Sequence, residues 1–175
     1  MDIKRAVDVM IPLDNYPHMP YWFSIRQAIF QLEQFEFEID NRKSMPRVVL
    51  IFNENYELLG MVRRRDILRA LEPDKLTAKL PFSFKKIFER RGEPDLSETQ
   101  YDRILKAIKE RAERPVSDVM MPIKTTVDHD DNLVKVIYEI VENDLYLIPV
   151  LQDGELVGVI RTVEILHEVK KIILE

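Results

Sequence analysis

The chain of 175 residues is 46% apolar and 33% charged, which fits a folded globular protein and argues against disorder. A net charge of −5 disfavours a general nucleic-acid binder, since such proteins present a basic face, and the absence of cysteine excludes disulfides, thiol catalysis and cysteine-bound zinc. No segment approaches the ~18–20 apolar residues of a membrane span, and the opening MDIKRAVDVM holds no long apolar signal core, so a cytoplasmic protein is expected.

The first motif is Asp8-Val9-Met10-Ile11-Pro12. An aromatic cluster, Tyr21-Trp22-Phe23, stands before Ser24 and reads either as a core anchor or as an exposed contact. Ser24 with Gln27 forms a capping box, and Ile25, Ala28, Ile29 and Leu32 make the apolar stripe of the helix it opens. Arg47–Phe52 and Leu58–Val62 read as strands joined by Asn53-Glu54-Asn55-Tyr56, with a helix from about Asp66. Prolines at 73, 81, 94 and 115 then punctuate a basic stretch, in which residues 73–115 carry 11 Lys and Arg against 8 Asp and Glu. Phe84, Ile87 and Phe88 suggest a short helix closed by Gly92. Ser97 with Gln100 caps a second, whose Tyr101, Ile104, Leu105 and Ile108 share a face.

Next comes Asp118-Val119-Met120-Met121-Pro122, then Thr125–Val127 as a short strand and Asn132 as the cap of a helix. Its stripe is Leu133, Val136, Ile137, Ile140 and Val141. Leu145–Leu151 and Leu156–Ile160 are strands about the Asp153-Gly154 turn, and Thr162 caps a final helix lined by Ile165, Leu166, Val169, Ile172 and Ile173. Residues 116–175 are acidic, with 5 Lys and Arg against 12 Asp and Glu. They either dock on the basic stretch or form a solvated face of opposite sign.

The parts recur in order. Matched residues stand 110 apart at the D-V-M-x-P motif, 108 apart at Ser24 and Asn132, and 98 apart at Gly60 and Gly158. The first copy is therefore longer, mostly by about ten residues after its helix. Each copy, at about 60 residues, is short of core by itself, and two packed together are not.

The D-V-M-x-P opening and the strand ending G-φ-φ-x-x-x-[D/E]-I-L, with φ apolar, resemble the CBS domain, named after cystathionine β-synthase. The duplication is similar to a CBS pair, or Bateman module, with a first repeat over 1–72, a helical insert over 73–111 and a second repeat over 112–175. The resemblance implies an α/β (α+β) fold in which two β-α-β-β-α repeats pack about a pseudo-twofold axis. It also implies a homodimer, and a stand-alone regulatory protein that acts on a partner rather than an enzyme. Clefts between the repeats would take AMP, ADP, ATP or S-adenosylmethionine as regulatory ligand, with no cofactor required and no nucleic acid or membrane as partner. A ligand-free interaction scaffold, docking through the fold and its insert, is the alternative.

The family's ligand signature is G-φ-φ-[T/S]-x-x-D. Here Arg63 and Arg161 replace the hydroxyl residue, while Asp66 keeps the acid and Glu164 lengthens it. By resemblance, the ligand-contacting residues are Arg63 and Asp66 of the first copy, with Thr125, Thr126, Val127, Ile148, Pro149, Arg161, Thr162 and Glu164 of the second. One dominant site is expected, in which Arg63 and Asp66 face Thr126 and Val127 across the pseudo-twofold. Asp66 could accept ribose hydroxyls or merely cap its helix, and the two arginines could hold phosphate or only form ion pairs. Arg64 and Arg65 read as solvent-facing, and His18, His129 and His167 have no metal-ligand spacing.

Overall fold

The computed structural model describes residues 4–39, 41–72 and 98–174. The short helix expected between Pro81 and Gly92 lies outside these residues, as does Ser97, and the side chain of Gln100 is likewise not described.

A single turn of helix, α1 (Ala6–Val9), leads into a two-residue strand, β1 (Ile11–Pro12). After β2 (His18–Pro20), the Ser24 capping box forms as the sequence implied. Ser24 Oγ accepts from the Gln27 amide at 3.2 Å, and the Ser24 amide donates to Gln27 Oε1 at 2.8 Å. The helix it opens, α2 (Ile25–Gln34), buries Ile25, Ala28 and Leu32 at one-face spacing. The extra residues of the first copy then fold as a hairpin of β3 (Phe37–Ile39) and β4 (Arg42–Ser44). Strand β5 (Val48–Phe52) is buried at all five positions, as befits a strand covered on both faces. Strand β6 (Leu58–Arg63) runs straight into α3 (Arg64–Ala70).

Helix α4 (Glu98–Ala112) precedes the second copy, which consists of β7 (Met121–Pro122), β8 (Val127–Asp128), α5 (Leu133–Glu142), β9 (Leu147–Gln152), β10 (Glu155–Arg161) and α6 (Thr162–Leu174). Asn132 caps α5 by accepting from the Lys135 amide at 2.9 Å. The β9–β10 turn places Asp153 and Gly154 at φ of 51° and 82°, the left-handed pair that a tight hairpin requires.

Two four-stranded sheets result, ordered β2-β5-β6-β7 and β1-β10-β9-β8. Each is completed by a strand from the other end of the chain. β1 pairs antiparallel with β10, and β7 pairs antiparallel with β6. The D-V-M-x-P motif therefore closes the sheet of the copy it does not precede. This exchange explains the paired glycines. A Cβ on Gly60 would stand 2.5 Å from the Met121 carbonyl oxygen, and one on Gly158 would stand 2.6 Å from that of Ile11. Only glycine lets the exchanged strand approach so closely.

The core has three parts. One lies under each sheet, built from Ile25, Leu32, Val49, Ile51 and Val62 in the first copy and from Val136, Ile140, Ile148, Val150 and Ile160 in the second. The third, with Tyr16, Phe37, Val48, Leu50, Leu147 and Val159, joins the copies. The helix stripes are narrower than their apolar residues suggested. Val141, Leu166, Ile172 and Ile173 are exposed because each of these helices offers its sheet only the i, i+3 or i, i+4 row, and Tyr101 and Leu105 of α4, which packs on α2, are exposed as well. Of the aromatic cluster, Tyr21 and Phe23 pack on the first core while Trp22 is exposed.

Candidate functional site

The two copies meet where β6 enters α3 and β10 enters α6, and each corner carries an arginine and an acid three residues apart. At the first, the Arg63 guanidinium grips Asp66 through both oxygens, Nη2 to Oδ1 at 2.8 Å and Nε to Oδ2 at 2.9 Å, while the Arg63 amide donates to Oδ2 at 3.0 Å. The Asp66 side chain is 4% exposed. Burial alone would raise its pKa; the Arg63 hydrogen bonds and charge outweigh that, and the carboxyl is held below its ordinary value. The same pairing raises the pKa of Arg63.

At the second corner, Arg161 holds Glu164 by Nε to Oε2 at 2.8 Å and Nη2 to Oε1 at 2.5 Å, with the Arg161 amide donating to Oε2 at 3.2 Å. Here both partners are buried. The first copy's hairpin reaches this corner. Ser44 Oγ accepts from Arg161 Nη1 at 2.8 Å, and the Phe37 ring lies 4.6 Å from the guanidinium carbon. Tyr16 stacks on Phe37 at 5.4 Å and donates its hydroxyl to the Val48 carbonyl at 2.8 Å. Its burial raises the phenol pKa well above the ordinary tyrosine value. Both family-signature carboxylates are therefore held as bidentate partners of the arginine that replaces the signature hydroxyl.

Above these pairs runs a cleft whose walls come from both copies. One hollow, about 350 Å³, is lined by Arg47, Val48, Arg63, Arg64, Arg65 and Tyr146. The adjoining one, about 300 Å³, shares Arg47, Val48, Arg64 and Tyr146 and adds Arg161, Thr162 and the hairpin's Ser44. Arg47, Arg64, Arg65 and Tyr146 are exposed. Arg64 has a long contact to Glu33 at 3.6 Å, whereas Arg47 and Arg65 have no acidic partner among the described residues. The cleft can engage anions from several directions and offers a ring face for a planar group.

Arg63, Arg161 and Thr162 of the sequence-derived set share this cleft. The others are placed elsewhere. Asp66 borders a separate hollow beside Arg111 and Met121. Thr125 Oγ1 donates to Glu139 Oε2 at 3.4 Å, facing α5. Thr126 lines a 700 Å³ hollow between the two hairpin turns, with Phe52, Tyr56 and Leu151. Val127 and Ile148 are in the second core, Pro149 is buried in β9, and Glu164 is buried beneath Arg161. The structure thus does not set Asp66 opposite Thr126 and Val127. Sequence reasoning passed over Arg47 and Tyr146, the matching first residues before β5 and β9, and left Arg64 and Arg65 to solvent. Their one available signal was the run Arg63-Arg64-Arg65 beside a strand end.

The CBS domain family model matches residues 24–73 and again 116–171, more than half of the chain in two copies. The chain belongs to the CBS domain family. Its overall shape is that of a CBS pair. The structure of CBSX2 in complex with AMP is similar over 96% of this chain and 97% of that one, at 20% identity and a TM-score of 0.63. The CBS-pair protein CBSX2 from Arabidopsis thaliana is similar over 99% of both chains, at 18% identity and a TM-score of 0.62. The CBS domains of a transcriptional regulator from Streptococcus pneumoniae are similar over 95% and 99%, at 14% identity and 0.58. No curated protein matches the chain. No helix among the described residues of this CBS pair is long and apolar enough to cross a membrane.

Proposed function

We propose that this CBS pair is a regulatory module that binds an adenosine nucleotide in the arginine cleft and passes the event to a partner through altered packing of its two repeats. The cleft itself carries the reading. Arg47, Arg63, Arg64 and Arg65 come from the first copy, and Tyr146, Arg161 and Thr162 from the second, so one ligand touches both repeats and favours one relative arrangement of them. Phosphates would lie on the guanidinium groups and the base on Tyr146. The CBSX2 complex with AMP supports the ligand class. No catalytic step is needed for this role.

A thermal-shift series with AMP, ADP, ATP and S-adenosylmethionine tests it. A nucleotide at 100 times its Kd adds about 2.7 kcal/mol to the native state, roughly 5–11 °C for a chain of this size. No shift at millimolar concentration with any of the four would reject adenosine binding.

A scaffold role has one supporting observation. Val134, Tyr138 and Val141 form an exposed apolar row on α5, and Val163, Leu166 and Ile173 are exposed on α6. An apolar row of this kind suits a second copy of the chain. Sedimentation of the wild type and of a Tyr138→Glu, Val141→Glu variant checks this. Identical monomeric behaviour in both would exclude self-association through this face.

A further inference from the structure

We infer that the arginine cleft selects its ligand by phosphate charge and is blind to the ribose diol, so that a nucleoside triphosphate binds far more tightly than the monophosphate. The inference rests on the nucleotide-binding reading above and specifies the ligand class of that site. Its first support is the cleft wall. Among the described residues, neither hollow is lined by any Asp or Glu, whereas Arg47, Arg63, Arg64, Arg65 and Arg161 line the two together.

The second support is the state of the two corner acids. A vicinal diol is recognised most strongly by a carboxylate that accepts from both hydroxyls. The Asp66 and Glu164 side chains are only 4% and 6% exposed, and each has both oxygens occupied by its own arginine. In each acid one oxygen already accepts twice, so to take both hydroxyls of a ribose either acid would have to come out of its buried position and loosen its bidentate ion pair. At the second corner the guanidinium is itself buried, which makes the exchange more unfavourable still.

The third support is what remains on offer. Guanidinium groups carry only donors. Arg47 and Arg65 are exposed and have no acidic partner among the described residues, so they can be recruited without breaking an existing ion pair. A phosphate chain accepts from such groups through every oxygen, whereas a neutral hydroxyl gains much less. S-adenosylmethionine, whose sulfonium and ammonium outweigh its single carboxylate, brings net positive charge to the same wall.

Calorimetric titration of the full chain tests this with ATP, 2′-deoxy-ATP, AMP, adenosine, S-adenosylmethionine and inorganic tripolyphosphate. ATP is expected to bind about tenfold or more tighter than AMP, because each added phosphate gains charge-assisted hydrogen bonds. The 2′-deoxy compound is expected within about twofold of ATP, a difference too small for a lost diol contact. Tripolyphosphate should compete with ATP, and Arg47→Gln and Arg65→Gln should each weaken ATP about tenfold. Both side chains are exposed, so these variants keep the fold, and a melting curve verifies it. Equal affinity for AMP and ATP, or a tenfold loss on removing the 2′-hydroxyl, would overturn the inference while nucleotide binding stood. Binding of tripolyphosphate alone would support phosphate selection and reject the adenosine reading. Binding of none of these compounds would overturn both.

Discussion

Replacing Glu164 by Gln isolates the consequence of burying an ion pair between the repeats. The Arg161 and Glu164 side chains are 10% and 6% exposed, so water does little to screen them. The substitution keeps shape and volume but removes the charge: the amide oxygen can still accept one Arg161 hydrogen bond, the amide NH2 cannot accept the other, and the Ser44 hydroxyl and Phe37 ring complete the guanidinium's contacts. Breaking one side of a buried pair costs about 3–5 kcal/mol, since the survivor stays desolvated. For a domain of this size that corresponds to a fall in Tm of roughly 6–20 °C. Urea unfolding should show the midpoint dropping at constant slope. The double variant Arg161→Met, Glu164→Leu removes both charges and should recover most of the loss, as apolar replacement of a whole buried pair often does. A cost below about 1 kcal/mol for Glu164→Gln would mean that the pair is effectively solvated. A double variant as unstable as the sum of its singles would show that the two groups act independently, and either result refutes the reasoning.

The other corner gives a pH dependence. Because Arg63 holds the Asp66 pKa below its unfolded value, the pair contributes stability above the ordinary carboxylate range, near 3.9, and loses it as pH falls through the folded pKa. Urea midpoints should decline in that acid window for wild type, and the decline should be shallower for Asp66→Asn. Gly158→Ala is expected to cost about 1–3 kcal/mol, since its Cβ would meet the Ile11 carbonyl oxygen at 2.6 Å and the Met10 sulfur at 2.9 Å. A melt unchanged from wild type would contradict the close passage of β1. Ser24→Ala should cost about 1 kcal/mol through loss of the helix cap, again read by urea midpoint. Phe37→Ala should cost about 3–5 kcal/mol, because Phe37 fills the space between Tyr16 and Arg161.

Much of the local chemistry was legible in the sequence where it depended on neighbours along the chain, although Thr162 proves to be the first helical residue rather than the cap, with Arg161 standing before it. The Ser24 box, the Asn132 cap, the Asp153-Gly154 turn and both strand pairs form as their residue types imply, because capping and turn preferences act over a few residues. The duplication, and with it the family, followed from the order of those local features. The helix stripes were read too widely, since periodicity marks which residues are apolar and not how many rows a sheet can cover.

The site depended on contacts that no local rule encodes. That β1 and β7 exchange between sheets is a choice of partner between two nearly equivalent edges, visible in the sequence only as glycines at 60 and 158. The ten extra residues of the first copy could be counted, but only packing decided that they form a hairpin setting Phe37 and Ser44 against Arg161, more than a hundred residues away. The sequence by itself determined that an arginine stands at each strand-to-helix corner with an acid three residues on. Tertiary structure decided that each arginine closes on its own acid, because both acids are buried there and an unpaired charge in that setting is too unfavourable to persist.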